Sequence, residues 1–137
     1  MTKEISRKVE KKIKKIANKY GIRLLLIFGS QVSKKTHQLS DIDIGVLFKN
    51  NQINLERYSN LLNDLQEIFP EKEVDLAIVN NADPLFLAKI VENCQLLFGR
   101  KKDLDKLKLY SFHQFCDYQK YFNLEEKFAH RLIKEFK

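Results

Sequence analysis

No apolar stretch in this sequence approaches the length of a membrane span, which argues against a helix crossing a bilayer. The opening MTKEISRKVEKKIKK lacks the apolar centre of a signal peptide, so the expected compartment is the cytoplasm. There are only two cysteines, Cys94 and Cys116, with no CxxC and no nearby histidine pair. That excludes a zinc site and leaves both expected to behave as small buried apolar residues. No G-x-x-x-x-G-K-[ST] loop occurs, which excludes a Walker-type phosphate cradle. Internal repeats, low-complexity tracts and Pro- or Ser-rich linkers are also missing. The 137 residues therefore read as one domain, large enough to bury a core.

Hydrophobic residues at 44% and charged residues at 31% describe a soluble globular protein. The net charge is +7, much of it between Lys3 and Lys19 and between Lys101 and Lys108. Solvated helix faces account for it. A basic surface also attracts nucleotides, RNA or an acidic partner without naming one of them. No helix-turn-helix signal accompanies it, so direct nucleic-acid binding rests on charge alone.

The informative stretch is LLLIFGSQVSKKTHQLSDIDIGVLF, residues 24–48. Leu24 to Phe28 is an apolar run of a length that suits a strand buried on both faces. It stops at Gly29-Ser30, where glycine permits a sharp turn and Ser30 offers a hydroxyl and an N–H to a phosphate. After nine residues, most of them polar, come Ser40-Asp41-Ile42-Asp43, and Ile44 to Phe48 is again apolar. On an extended Asp41 to Phe48, Asp41 and Asp43 share one face and Ile42 and Ile44 the other. Two carboxylates on a strand otherwise fit for burial repel one another and lose solvation, so they call for a cation. A hard divalent ion with oxygen ligands, Mg²⁺ above all, meets that need. A triphosphate held between the turn and such an ion is set up for phosphoryl-type chemistry.

Around this centre the chain reads as alternating elements. Ile5, Val9, Ile13 and Ile16 recur at helical spacing, predicting a helix from about Lys3 to Lys19 with Gly21 as its cap. Strands are expected at Ile22 to Phe28 and Asp41 to Phe48, with a short helical turn near Gln31 to Lys34 and His37 as a loop residue. A second helix, built on Leu55, Tyr58, Leu61, Leu62, Leu65 and Phe69, ends at Pro70. Lys72 to Val79 predicts a third strand with Val74, Leu76 and Ile78 on one face, and Asp75 on the other beside Ala77 and Val79. Asp83-Pro84 opens a third helix, and Gln95 to Phe98 reads as a short closing strand. A long helical pattern then runs from about Asp103 to Phe136. Its aromatics, Tyr110, Phe112, Phe115, Tyr118, Tyr121, Phe122, Phe128 and Phe136, occupy more than one face. Either the helix wraps the domain or it is a docking arm for another chain. The division expected is 1–100 for the domain and 101–137 for a C-terminal helical arm, belonging to the same domain or docking a partner.

Gly29-Ser30, ten residues, then Asp41-x-Asp43, with each half attached to a strand, resembles the signature of the DNA polymerase beta-like nucleotidyltransferase superfamily. The chain's small size resembles the minimal members, the MNT-type antitoxins encoded beside HEPN-domain toxins. The likeness covers about the first two thirds of the chain by element order. It implies an α/β (α+β) fold: a small mixed β-sheet flanked by helices, with a long C-terminal helix. A third metal-binding carboxylate follows on a later strand in that superfamily, which points to Asp75; Glu73 shares its face and is the alternative. The resemblance implies that Asp41, Asp43 and Asp75 hold two Mg²⁺ ions and that Gly29 and Ser30 hold the phosphates of ATP. It also implies that AMP passes to a hydroxyl, a tyrosine on a cognate HEPN ribonuclease toxin, which is thereby neutralised within a hetero-oligomer. The alternative is a non-catalytic antitoxin that masks its toxin by binding. One departure stands out: minimal members often continue Gly-Ser-x-Ala-x-Gly, where this chain has Gly29-Ser30-Gln31-Val32-Ser33-Lys34.

Overall fold

The computed structural model describes residues 7–29, 41–50 and 53–135. Helix α1 spans Arg7–Tyr20 and buries Ile13, Ile16, Ala17 and Tyr20, while its lysines face water. Gly21 ends it at φ +64°, a left-handed turn that suits glycine. Strand β1 follows at Ile22–Phe28 and β2 at Asp41–Phe48. Helix α2, Leu55–Ile68, starts where the Asn54 side chain accepts the Arg57 N–H at 2.7 Å. Strand β3 is Glu73–Ile78, one residue shorter at each end than the apolar pattern suggests; at its C-terminal end Val79–Asn81 coil into a 3₁₀ turn. Asp83 caps helix α3, Pro84–Glu92, by accepting the Phe86 N–H at 2.9 Å. Strand β4, Cys94–Phe98, and helix α4, Lys101–Glu135, complete the described chain.

The sheet is four-stranded and mixed, in the order β3-β2-β1-β4. β1 runs antiparallel to β2 and β4, and β2 pairs with β3 in parallel through the α2 crossover. This is the small mixed sheet flanked by helices that the sequence suggests. Leu24, Leu25, Leu26 and Ile27 of β1 are each 0% exposed, so that strand is buried on both faces. One face packs Leu25, Ile27, Ile42, Ile44 and Val46 against α1 and α2. The other packs Leu24 and Leu26 against Leu87 and Ile90 of α3 and Leu104 and Leu107 of α4. Each fully buried side chain of this size contributes about 1.5–3 kcal/mol.

Polar contacts fix the edges. The Tyr58 hydroxyl donates to Leu76 O at 2.8 Å, tying α2 to the edge strand. The Gln66 side chain accepts the Val74 N–H at 3.0 Å, which positions the start of β3. Asn80 pairs with both backbone groups of Phe48, at 2.9 and 3.0 Å, and so takes the place of a further strand residue. The two thiols are half-buried rather than fully buried, and both are free.

Helix α4 divides in two. Its first turns insert Leu104, Leu107 and Ser111 into the core. From Gln119 to Glu135 every residue is exposed, so the helix leaves the domain rather than wrapping it. Its 35 residues span about 50 Å.

Candidate active site

The site begins where β1 ends. Gly29 sits at φ +81°, a conformation L side chains rarely adopt. A Cβ there would stand 2.7 Å from Asp43 Oδ2, so any other residue would have to displace that carboxylate as well as strain the turn. On β2, Ile42, Ile44 and Val46 point into the α1–α2 layer and are 0% exposed. Alternation then sends Asp41, Asp43 and Gly45 to the other side. A Cβ on Gly45 would meet Val79 Cγ2 at 3.3 Å and Ile90 Cγ2 at 3.6 Å. The missing side chain allows α3 to close over that part of the sheet, leaving Asp43 beyond its cover.

Register decides what stands beside Asp43. The parallel β2–β3 pairing sets Asp75 opposite Asp43 and Glu73 opposite Asp41. The antiparallel β1–β2 pairing sets Phe28 opposite Asp43 on its other flank. Phe28, Asp43 and Asp75 thus form a row across three strands, facing the same way. Burial pushes the Asp43 carboxyl above the usual carboxylate range; the charges of Asp75 and Asp41 and a hydrogen bond with Asp75 add to the rise. Two facing carboxylates in this setting are relieved by a shared proton or a shared cation.

They open into a cleft of about 730 Å³, within the usual size of a small-molecule site. Sheet residues Phe28, Gly29, Asp43 and Asp75 line one side, and Phe86, Lys89 and Glu92 of α3 line the other. Among the described residues no group of three or more His, Cys, Asp or Glu is arranged to hold a metal ion. The donor set still fits Mg²⁺, which is commonly held by one or two carboxylates and completed by substrate phosphates and water rather than by an all-protein cage.

Of the residues singled out in the sequence, Gly29, Asp43 and Asp75 come together in the cleft. Asp41 lies two residues further out, at the exposed start of β2 beside Glu73, and neither residue lines the cleft. Ser30, the short turn near Gln31 to Lys34, and His37 lie outside the described residues. Phe28, Phe86 and Lys89 were not legible as site residues. For Phe86 a signal existed: Leu87 and Ile90 already complete the buried stripe of α3, so a phenyl ring beside them needs another purpose.

No curated protein matches this chain. Among solved structures, a chain of a toxin–antitoxin crystallised with AMP-PNP superposes with a TM-score of 0.69 at 22% identity, covering 90% of this chain and 98% of that one. A chain from the complex of a tri-AMPylated Shewanella oneidensis HEPN toxin with its MNT antitoxin gives 0.64 at 20% identity, covering 93% and 98%. The spectinomycin adenyltransferase AAD(9) of Enterococcus faecialis, with ATP and spectinomycin, gives 0.51 at 15% identity, covering 74% of this chain and 59% of that one. These likenesses are of fold. The family described as "Polymerase beta, Nucleotidyltransferase" matches residues 11–103, the span that holds Gly29, Asp41, Asp43 and Asp75. The chain belongs to the polymerase beta nucleotidyltransferase family.

Proposed function

We propose that this protein transfers AMP from ATP, with Mg²⁺, to a tyrosine hydroxyl of a cognate HEPN ribonuclease toxin and so neutralises it. The observation that carries the reading is the pairing of Asp43 with Asp75 across β2–β3, in a cleft where Gly29 turns closely over the Asp43 carboxylate. Membership of a nucleotidyltransferase family supports the reaction class, and the toxin–antitoxin complexes of the same fold support the acceptor.

Asp41, Asp43 and Asp75 would hold two Mg²⁺ ions, Asp43 and Asp75 from adjacent strands and Asp41 from the open end of the row. When bound, Mg²⁺ neutralises phosphate charge and lowers the pKa of the attacking hydroxyl. Gly29 and Ser30 bind the terminal phosphates through the turn. The acceptor oxygen attacks the α-phosphorus, the bond from that phosphorus to the bridging oxygen breaks, and pyrophosphate leaves. Asp75, exposed at the sheet edge, takes the acceptor's proton.

A second reading is a non-catalytic antitoxin that masks its toxin with α4. It is favoured by the exposed apolar side chains of the distal helix, among them Tyr121, Leu124, Phe128 and Ile133. Intact mass measurement on protein, toxin, ATP and Mg²⁺ separates the two. A toxin that gains the mass of one or more AMP groups supports transfer. A toxin silenced at unchanged mass supports masking and overturns the first reading.

A further inference from the structure

Helix α3 forms the cleft wall that faces the carboxylates, and its sequence carries one aromatic more than its packing uses. Leu87 and Ile90 seat it on the sheet at 2% and 0% exposure. Phe86 falls off that stripe and lines the cleft at 39% exposure. Leaving a phenyl ring partly in water forfeits burial that folding would otherwise gain. The ring is nevertheless fixed in place, edge-to-face against Phe28, with centroids 6.1 Å apart and planes at 78°. The contact leaves the Phe86 side chain partly open to the cleft that it lines. Phe28 is itself the register partner of Asp43, which puts the aromatic pair directly beside the carboxylates. Lys89 follows one turn after Phe86 and is the one cation among the described residues of the cleft. It enters neither of the two ion pairs found among the described residues.

We infer that α3 is the nucleotide-holding wall of the cleft: Phe86 stacks on the base, and Lys89 contacts the phosphates opposite Asp43 and Asp75. This rests on the reading of the cleft as an ATP site. Every base presents a π-face, so a stacking platform supplies affinity rather than choice between bases.

The test is calorimetric titration of the full chain with Mg-ATP and, separately, with Mg-tripolyphosphate, which has the phosphates but no base. Phe86→Ala is expected to weaken ATP binding about tenfold, the worth of one stacked base, and to leave tripolyphosphate binding unchanged. Phe86→Trp should retain ATP binding, and Lys89→Met should weaken both ligands. Circular dichroism establishes that each variant is folded, which the partial exposure of Phe86 favours. A folded Phe86→Ala protein that binds ATP like the parent, or that loses both ligands equally, overturns the inference. Asp43→Asn separates the two levels. If it abolishes Mg-ATP binding while Phe86→Ala does not, the wall assignment fails and the ATP-site reading stands. If the parent binds neither ligand, both fall.

Discussion

A methyl group on Gly29 is the smallest change that tests the architecture of the site. Two costs are separable. At φ +81° an L residue is strained whatever the space around it, by about 1–2 kcal/mol. The new Cβ would also stand 2.7 Å from Asp43 Oδ2, so the carboxylate must leave its rotamer, at about 0.5–1.5 kcal/mol. Gly29→Ala should therefore destabilise by about 1.5–3.5 kcal/mol. In an Asp43→Ala background the contact disappears and only the backbone strain remains. Urea denaturation of the parent, both single mutants and the double mutant then yields a coupling energy of about 1 kcal/mol between positions 29 and 43. Additivity within ~0.3 kcal/mol would refute the idea that the glycine is there to roof the aspartate. A Gly29→Ala protein as stable as the parent would refute the turn itself.

Asp43→Asn should stabilise the metal-free protein near neutral pH by about 0.5 kcal/mol, a modest figure because solvent screens a partly exposed group. The Asp43 pKa is raised in the folded state, so its cost is absent below its unfolded value and grows as pH rises through the folded one. The mutant's advantage in urea melts should accordingly vanish in acid; an advantage that increases there contradicts the reasoning. Asp75→Asn should lower AMP transfer by orders of magnitude while ATP still binds, whereas Glu73→Gln, outside the cleft, should leave turnover near the parent's; equal losses would leave the third carboxylate unassigned. Ser30→Ala should mainly raise the KM for ATP, by the ~1.5–3 kcal/mol of one hydrogen bond to a charged group; a loss confined to kcat would remove Ser30 from ground-state binding. Removal of residues 119–137 should change stability by less than about 1 kcal/mol and spare Mg-ATP binding, while weakening the toxin complex. An undiminished complex would show that the distal helix does not dock the partner.

Much of this protein was written locally. Strand alternation alone puts Asp41 and Asp43 on one face and the isoleucines on the other, because successive side chains of an extended chain point in opposite directions. The apolar run before Gly29 required a strand covered on both sides, and the stripe Val9, Ile13, Ile16 required an amphipathic helix. Those patterns depend only on near neighbours in sequence. What stands beside Asp43 depends on pairing between segments tens of residues apart. Asp75 and Glu73 share a face of β3 and were indistinguishable by alternation; the parallel register alone sets Asp75 against Asp43 and moves Glu73 out to Asp41. The seating of α3 through Ile90 and Gly45, which turns Phe86 and Lys89 toward the carboxylates, was likewise invisible until the helix lay on the sheet. So was the fate of the long final helix. Its aromatic pattern fits a core or an interface equally, and only the extent of the domain decides the matter: β1 and α3 give apolar cover to Leu104 and Leu107, and every described residue beyond Tyr118 is exposed.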